Sequence, residues 1–253
     1  MKLYLNTEEY IDTDKGVDLS IPISSHSDSV NAWYVNPVKI EPVKSGSFVG
    51  DVNQGGTVNF KDVTINPHGN GTHTECVGHI SKELYTINQC LKSFHHKAQV
   101  ISVSPKKIQN EVFNQIDQVI TKDCISNGLS NWSHENTLIV RTLPNEIEKK
   151  KKQYSGSNPP YFTKEAISFI NEIGVEHLMV DLPSVDREVD HGALTAHKTF
   201  WSYPENPQLH KTISELLFIP NELKDGKYII QIQIMSLEND ASPSKIVAHE
   251  ILK

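Results

Sequence analysis

The sequence predicts an α/β domain built on a substantial mixed sheet, and three observations carry that expectation. The first third reads as extended segments broken by turns. The middle repeats the order strand, helix, strand, which implies parallel pairing through crossover helices. Near the end, DGKYIIQIQIMSLEN is a further strand introduced by a turn. No internal repeat, low-complexity segment or long linker divides the 253 residues. Residues 1–253 are therefore expected to form a single domain, long enough to bury a proper core.

The elements follow in order. GVDLSIPI alternates like a short strand, and GGTVNFKDVTINPHG sets β-branched residues between glycines. KSGSFVGDVNQGG, residues 44–56, is glycine-rich and reads as a mobile loop, a possible substrate lid. KAQVISVSP, residues 97–105, reads as a buried strand. In EVFNQIDQVITKDC, Val112, Ile116, Val119 and Ile120 have helical spacing. NTLIVRTLP is a second buried strand. In YFTKEAISFINEIGVEHLMVDLP a helix closed by Gly174 leads into a third strand, which ends at Asp181.

Composition narrows the function. A net charge of −7 gives no electrostatic reason to expect nucleic acid or an anionic membrane. The one basic run, Lys149 to Lys152, follows two glutamates and leads into Gly, Ser, Asn and Pro, so it reads as a solvated loop. Cys76, Cys90 and Cys124 show no CxxC spacing and point to a reducing cytosol rather than a disulfide framework. The segment MKLYLNTEEYIDTDKG carries acids where a signal peptide needs an apolar stretch, and no run approaches the roughly 20 apolar residues of a membrane span. The expectation is a soluble, cytoplasmic protein acting on a small molecule.

The stretch HGNGTHTECVGH, residues 68–79, concentrates the chemistry. Counting alone leaves a metal loop and a polar loop both open, because the chain holds 12 histidines. Histidine and carboxylate donors suit Zn, Mn, Fe or Ni without thiolate. His73, Glu75 and His79 are spaced so that turns can aim them at one point, and Gly71 and Gly78 would let the backbone approach it. Cys76 points away from Glu75 in an extended loop and reads as a packed, inert thiol.

GTHTECVGH resembles the signature of the metal-dependent cyclase family, which includes kynurenine formamidases and related cyclic-amide hydrolases. That signature runs His-x-Gly-Thr-His-x-Asp-x-Pro-x-His. Gly71, Thr72, His73 and His79 match it in place, Glu75 stands for the Asp, and Val77 for the Pro. Gly69 occupies the first histidine position, with His68 one residue earlier, so His68 ligates only if the loop bulges by one residue. DLSIPI resembles the family's early segment. VDLPSVD resembles its Asp-x-x-Ser-x-Asp strand end. ENDASPSKIVA resembles its closing segment, with Lys245 for the usual Arg.

The resemblance implies a swivelling β/β/α domain with a mixed, partly barrel-like sheet flanked by helices. It implies a further histidine, for which His197 is the best match, with His191 and His210 as competitors. It implies a glutamate, matched by Glu215; taken by itself, that residue is also open to reading as a helix or strand-edge acid facing water. It implies a homo-oligomer, dimer or tetramer, and Trp33 as an aromatic wall for substrate, with a core or interface tryptophan the equal alternative. The metal set is then His68, His73, Glu75, His79, His197 and Glu215, holding one or two divalent ions, Zn or Mn. Such an ion acidifies water near neutral pH for attack on an amide, formamide or lactam carbonyl, and His79 or Glu215 supplies the acid for the leaving nitrogen. Thr72 shapes the loop, since no histidine–acid relay surrounds it. Two alternatives stay open: a metal-assisted cyclase or dehydratase, and a metal- or small-molecule-binding protein without turnover. The WSYPENPQ insertion between His197 and Glu215 reshapes the pocket.

Overall fold

The structure, a computed structural model, describes residues 1–129, 131–132 and 135–253. Eight strands form its main sheet: β1 (Val17–Asp18), β2 (His73–Glu75), β3 (His95–Val103), β4 (Thr137–Thr142), β5 (His177–Val180), β6 (Thr212–Glu215), β7 (Gly226–Ile234) and β8 (Ala241–Glu250). The order is β7-β3-β4-β5-β6-β2-β8-β1, and a β7–β8 pairing closes seven of these strands into a barrel with β1 appended. β3, β4, β5 and β6 run parallel, while the remaining pairings are antiparallel. The sheet is thus mixed and barrel-like, as the resemblance implies.

Parallel strands are covered on both faces, and β4 shows it. All six of its residues are buried. Leu138 and Val140 join Ile101, Val103, Leu178 and Val180 under the helices, whereas Ile139 joins Val100, Met179, Ile230 and Ile246 in a second cluster. The helices are short: α1 (Ile87–Cys90), α2 (Lys122–Gly128), α3 (Lys164–Glu172) and α4 (Thr195–Trp201). Thr163 Oγ1 caps α3 by accepting from the Ala166 amide, and Gly174, at φ +82°, takes the left-handed turn that ends it. Ala166, Ile167 and Ile170 form the buried face of α3. Phe200 and Trp201 do the same for α4, and each such side chain contributes about 1.5–3 kcal/mol.

Two expectations need correction. Residues 111–124 are not helical through their first ten positions. Gln115–Ile120 is a strand, paired antiparallel with Lys106–Asn110, and only α2 begins after it. The alternation that decides it is Asp117 buried, Gln118 exposed, Val119 buried. Asp117 is held inside by Arg187 Nε at 2.9 Å and by Asn110, Asn158 and Tyr161. The lysine run is not wholly solvated either. Lys149 is half-buried, with Nζ 2.7 Å from the buried Asp181 carboxylate and donating to the Thr142 carbonyl, so it secures the ends of β4 and β5. Burial pushes the Asp181 carboxyl above its ordinary range, against the pull of Lys149.

Before the histidine loop, Lys39–Pro42 pairs with Lys61–Thr64 as a two-stranded ribbon, with residues 44–56 at its far end. Among the described residues, no helix is long and apolar enough to cross a membrane. All three cysteines are free thiols, and Cys76 is packed in the core.

Candidate metal centre

The neighbours of β2 decide what its side chains meet. Against β6, His73 lies opposite Glu215 and Glu75 opposite Ile213. Against β8, they face Pro243 and Ala241. Strand alternation puts His73 and Glu75 on one face and Thr74, bonded to Ser214 Oγ at 2.8 Å, on the other. Just before β2, Thr72 Oγ1 donates to the Leu216 carbonyl at 2.5 Å and accepts from the Ile21 amide at 2.7 Å. It therefore ties the loop to two other segments.

His68 reaches the same point from the preceding turn. A Cβ at position 69 would meet Val35 Cγ2 at 2.5 Å and the Ala32 carbonyl oxygen at 2.9 Å, so that position admits only glycine and the histidine stands one residue earlier. The structure thus places His68 Nδ1 3.1 Å from Glu75 Oε2. Gly71 and Gly78 both stand where a side chain would clash. A Cβ on the first would strike Ile23, and on the second the Tyr85 carbonyl. His79, in the turn Val77–His79, brings Nδ1 to 3.8 Å from Glu75 Oε2, and its ring lies 4.3 Å from that of His68.

α4 delivers His197. Its first turn has no side-chain cap of its own, since Leu194 is the N-cap residue, and Asp186 takes that place by accepting from the Ala196 and His197 amides at 2.6 and 3.1 Å. The same carboxylate accepts from His197 Nδ1 at 2.6 Å, which leaves Nε2 facing Glu75 Oε1 at 3.1 Å and Glu215 Oε1 at 3.8 Å. His73 is oriented likewise. Its Nδ1 donates to the Gly71 carbonyl at 3.0 Å, and Nε2 lies 3.5 Å from Glu215 Oε2. Glu215, buried rather than facing water, uses Oε1 to accept from the Val185 amide at 3.0 Å. His191 and His210 stand elsewhere: His191 stacks on Phe113, and His210 Nε2 lies 3.9 Å from Glu176.

All six residues expected to ligate are therefore brought together. Three overlapping triads offer donor atoms within 4.8 Å of one another: His68, His73, Glu75; Glu75, His79, His197; and His68, His79, Asp240. Asp240 was not among the expected residues. It lies in the closing segment ENDASPSKIVA, and its Oδ2 is 2.8 Å from His68 Nε2. Its only sequence signal is a place one residue before β8, the strand that pairs with β2.

Two buried atoms, His73 Nε2 and Glu75 Oε2, find no hydrogen-bond partner among the described residues. An orphaned buried imidazole nitrogen and carboxylate oxygen, turned toward each other's neighbours, suit a cation between them. The surrounding charges fit as well. Burial works against a charged His197, but Asp186, Glu75 and Glu215 hold its protonation well above the ordinary range. Burial also opposes charge on His68, yet Asp240 and Glu75 raise it to about 10. Burial would push Glu75 up, and His79, His197 and His68 instead hold it well below the usual carboxylate range. The centre opens on a cavity of about 320 Å³, lined by Trp33, His68, His79, Asp186, His197 and Glu215. Trp33 stands at φ +60°, an uncommon conformation for a residue with a side chain. Residues 44–56 do not line this cavity. The roots of the ribbon, at Val35 and Asn66, do.

A family described as Cyclase has a model that matches residues 17–187. Comparison with curated proteins matches none. Among solved structures, the chain is similar to a potential metal-dependent hydrolase with cyclase activity, at 16% identity and a TM-score of 0.62, covering 94% of this chain and 98% of that one. It is similar to isatin hydrolase A from Labrenzia aggregata bound to benzyl benzoate, at 14% identity, a TM-score of 0.62 and 93% coverage of both chains. It is also similar to a novel cyclase at 15% identity and a TM-score of 0.64, covering 95% of this chain and 90% of that one. At such identities these likenesses establish a shared fold.

Proposed function

The chain belongs to the Cyclase family, and from that membership together with the geometry of the centre we propose that it is a metal-dependent hydrolase of a carbon–nitrogen amide bond. One observation carries the reading: His73 Nε2 and Glu75 Oε2 are buried without a hydrogen bond, among His68, His79, His197 and Glu215, which line the cavity above them. Those six residues would hold one or two divalent ions, Zn or Mn. When bound, such an ion supplies Lewis acidity toward a carbonyl and acidifies water at neutral pH.

The chain's own groups do the rest. His73 and His197 donate Nδ1–H to the Gly71 carbonyl and to Asp186, so each turns Nε2 inward, where an ion would take the place of a second proton. Glu215 Oε1 is held by the Val185 amide, which leaves Oε2 to accept the proton of the attacking water. As the carbon–nitrogen bond breaks, Glu215 returns that proton to the leaving nitrogen, directly or relayed through His79 at the cavity wall. Trp33 provides a flat apolar wall for a substrate of aromatic character. The substrate is a formamide such as N-formylkynurenine or a cyclic amide such as isatin, which the fold's neighbours named isatin hydrolase favour. The protein works in the cytoplasm as a dimer or tetramer, without nucleic acid or membrane.

The test is metal content by plasma mass spectrometry on untagged protein, with His73→Ala and Glu75→Ala beside the wild type. Near-stoichiometric Zn or Mn in the wild type and its loss in both variants are expected. Hydrolysis of N-formylkynurenine or isatin should fall more than about 100-fold in the variants, beyond the loss typical of a mutated supporting residue. A wild type that holds no ion after Zn or Mn is added back sinks the mechanism.

A further inference from the structure

Asp240 has no part in the reading above, yet it touches the centre twice. Its Oδ2 lies 2.8 Å from His68 Nε2 and 3.4 Å from His79 Nδ1. The main chain fixes its place. Ala241 is paired with Glu75 across the β8–β2 ladder, and the Cys76 amide donates to the Asp240 carbonyl at 3.0 Å. Gly78 allows the close passage, because a Cβ there would meet the Tyr85 carbonyl oxygen at 2.0 Å and Asp240 Cβ at 3.3 Å. Asp240 is thus built into the ladder beside Glu75 rather than carried on a free loop.

The His68 ring lies between two carboxylates, with Nδ1 toward Glu75 Oε2 at 3.1 Å and Nε2 toward Asp240. An imidazole keeps its hydrogen on the nitrogen facing an outer acceptor and presents its lone pair on the other. Asp186 does this for His197, and the Gly71 carbonyl does it for His73, so each of those rings offers Nε2 to the centre. In His68 the order is reversed. The outer acceptor faces Nε2, and Nδ1 points inward. Nδ1 sits nearer its own backbone than Nε2, so a histidine displaced along the chain reaches the same point only by changing the nitrogen it presents.

Resting on the metal-centre reading, we propose that Asp240 is a positioning residue that holds the Nε2 hydrogen of His68 and thereby makes Nδ1 the ligand atom. It compensates for the glycine that steric crowding requires at position 69.

The experiment titrates Zn into metal-stripped wild type, Asp240→Ala and Asp240→Asn by competition with a chromogenic chelator. Ions are counted at saturation, and the histidine ring nitrogens are followed by 15N NMR. Both variants should bind as many ions as the wild type, but about 10–100-fold more weakly, with the isosteric Asn the milder and the arbiter should Ala misfold. In the wild type, Zn-loaded His68 should show a protonated Nε2 and a metal-bound Nδ1, a signature depleted in both variants. Loss of one whole ion in both would overturn the proposal by making Asp240 itself a ligand. Unchanged affinity and unchanged His68 signals would overturn it by leaving Asp240 no role. A wild type that binds no Zn overturns the underlying reading, an outcome distinct from either.

Discussion

His197 is a ligand candidate only as long as its Nδ1 hydrogen has somewhere to go. Asp186 accepts it at 2.6 Å while closing the first turn of α4, so one carboxylate sets both the tautomer and the rotation of the helix that carries the ring. Asp186→Ala removes both the acceptor for His197 and the cap. It should weaken Zn binding by about 10–100-fold and lower stability by about 0.5–2 kcal/mol, read by chelator competition and by urea unfolding. Unaltered Zn affinity with lowered stability would confine Asp186 to the helix. The loop donors are legible in the sequence through the motif they match, and His197 and Glu215 through the wider resemblance that calls for one more histidine and a glutamate. Asp186 stands in VDLPSVD, but its service to His197 is not legible there, since it depends on how α4 turns. Asp240 was hidden for a related reason: it joins the loop across more than 160 residues through a ladder.

At the level of elements, buried apolar runs announced β3, β4, β5 and β7, whereas barrel closure depends on the β7–β8 pairing, which no local pattern encodes. Residues 111–124 were misread because four apolar residues fit helical spacing. Asn114, at φ +47°, turns the chain there, and Arg187 draws Asp117 inside. Two histidines outside the centre also meet. His96 on β3 and His177 on β5 meet with ring centroids 4.0 Å apart, at the end of the parallel strands remote from Glu215. Burial, then the neighbouring His96 and His210, lower the His177 pKa from 6.5 to about 3. Below pH 6.5 the unfolded chain takes up a proton there, and the folded chain does so only near 3. Stability from this group is thus full above 6.5 and is lost as pH falls through the window, by about 1.4 kcal/mol per unit for one proton. Urea unfolding at pH 7.5, 6 and 5 should give His177→Gln a shallower decline than the wild type. Equal slopes would mean that His177 is not linked to folding.

The molecule as a whole carries one feature that a lone barrel does not explain. The ribbon of Lys39–Pro42 and Lys61–Thr64 leaves the body with its apolar side chains outside: Ile40 and Val63 face each other across the ladder, and Phe48 packs edge-on against Phe60. Phe60 and Val63 are each 58% exposed. An isolated two-stranded ribbon is marginal in water, and apolar side chains gathered on one projection mark an interaction surface. A second copy of this chain is the occupant we expect, because Val35 and Asn66 beside the ribbon's roots also line the cavity, so a copy gripping the ribbon would sit at the mouth of the site. Light scattering coupled to size exclusion should give twice or four times the monomer mass for the wild type. Phe60→Ser combined with Val63→Ser should shift it toward the monomer without altering Zn content, since neither residue lines the centre. A wild type that stays monomeric at the highest soluble concentration would leave the ribbon without a second copy to hold.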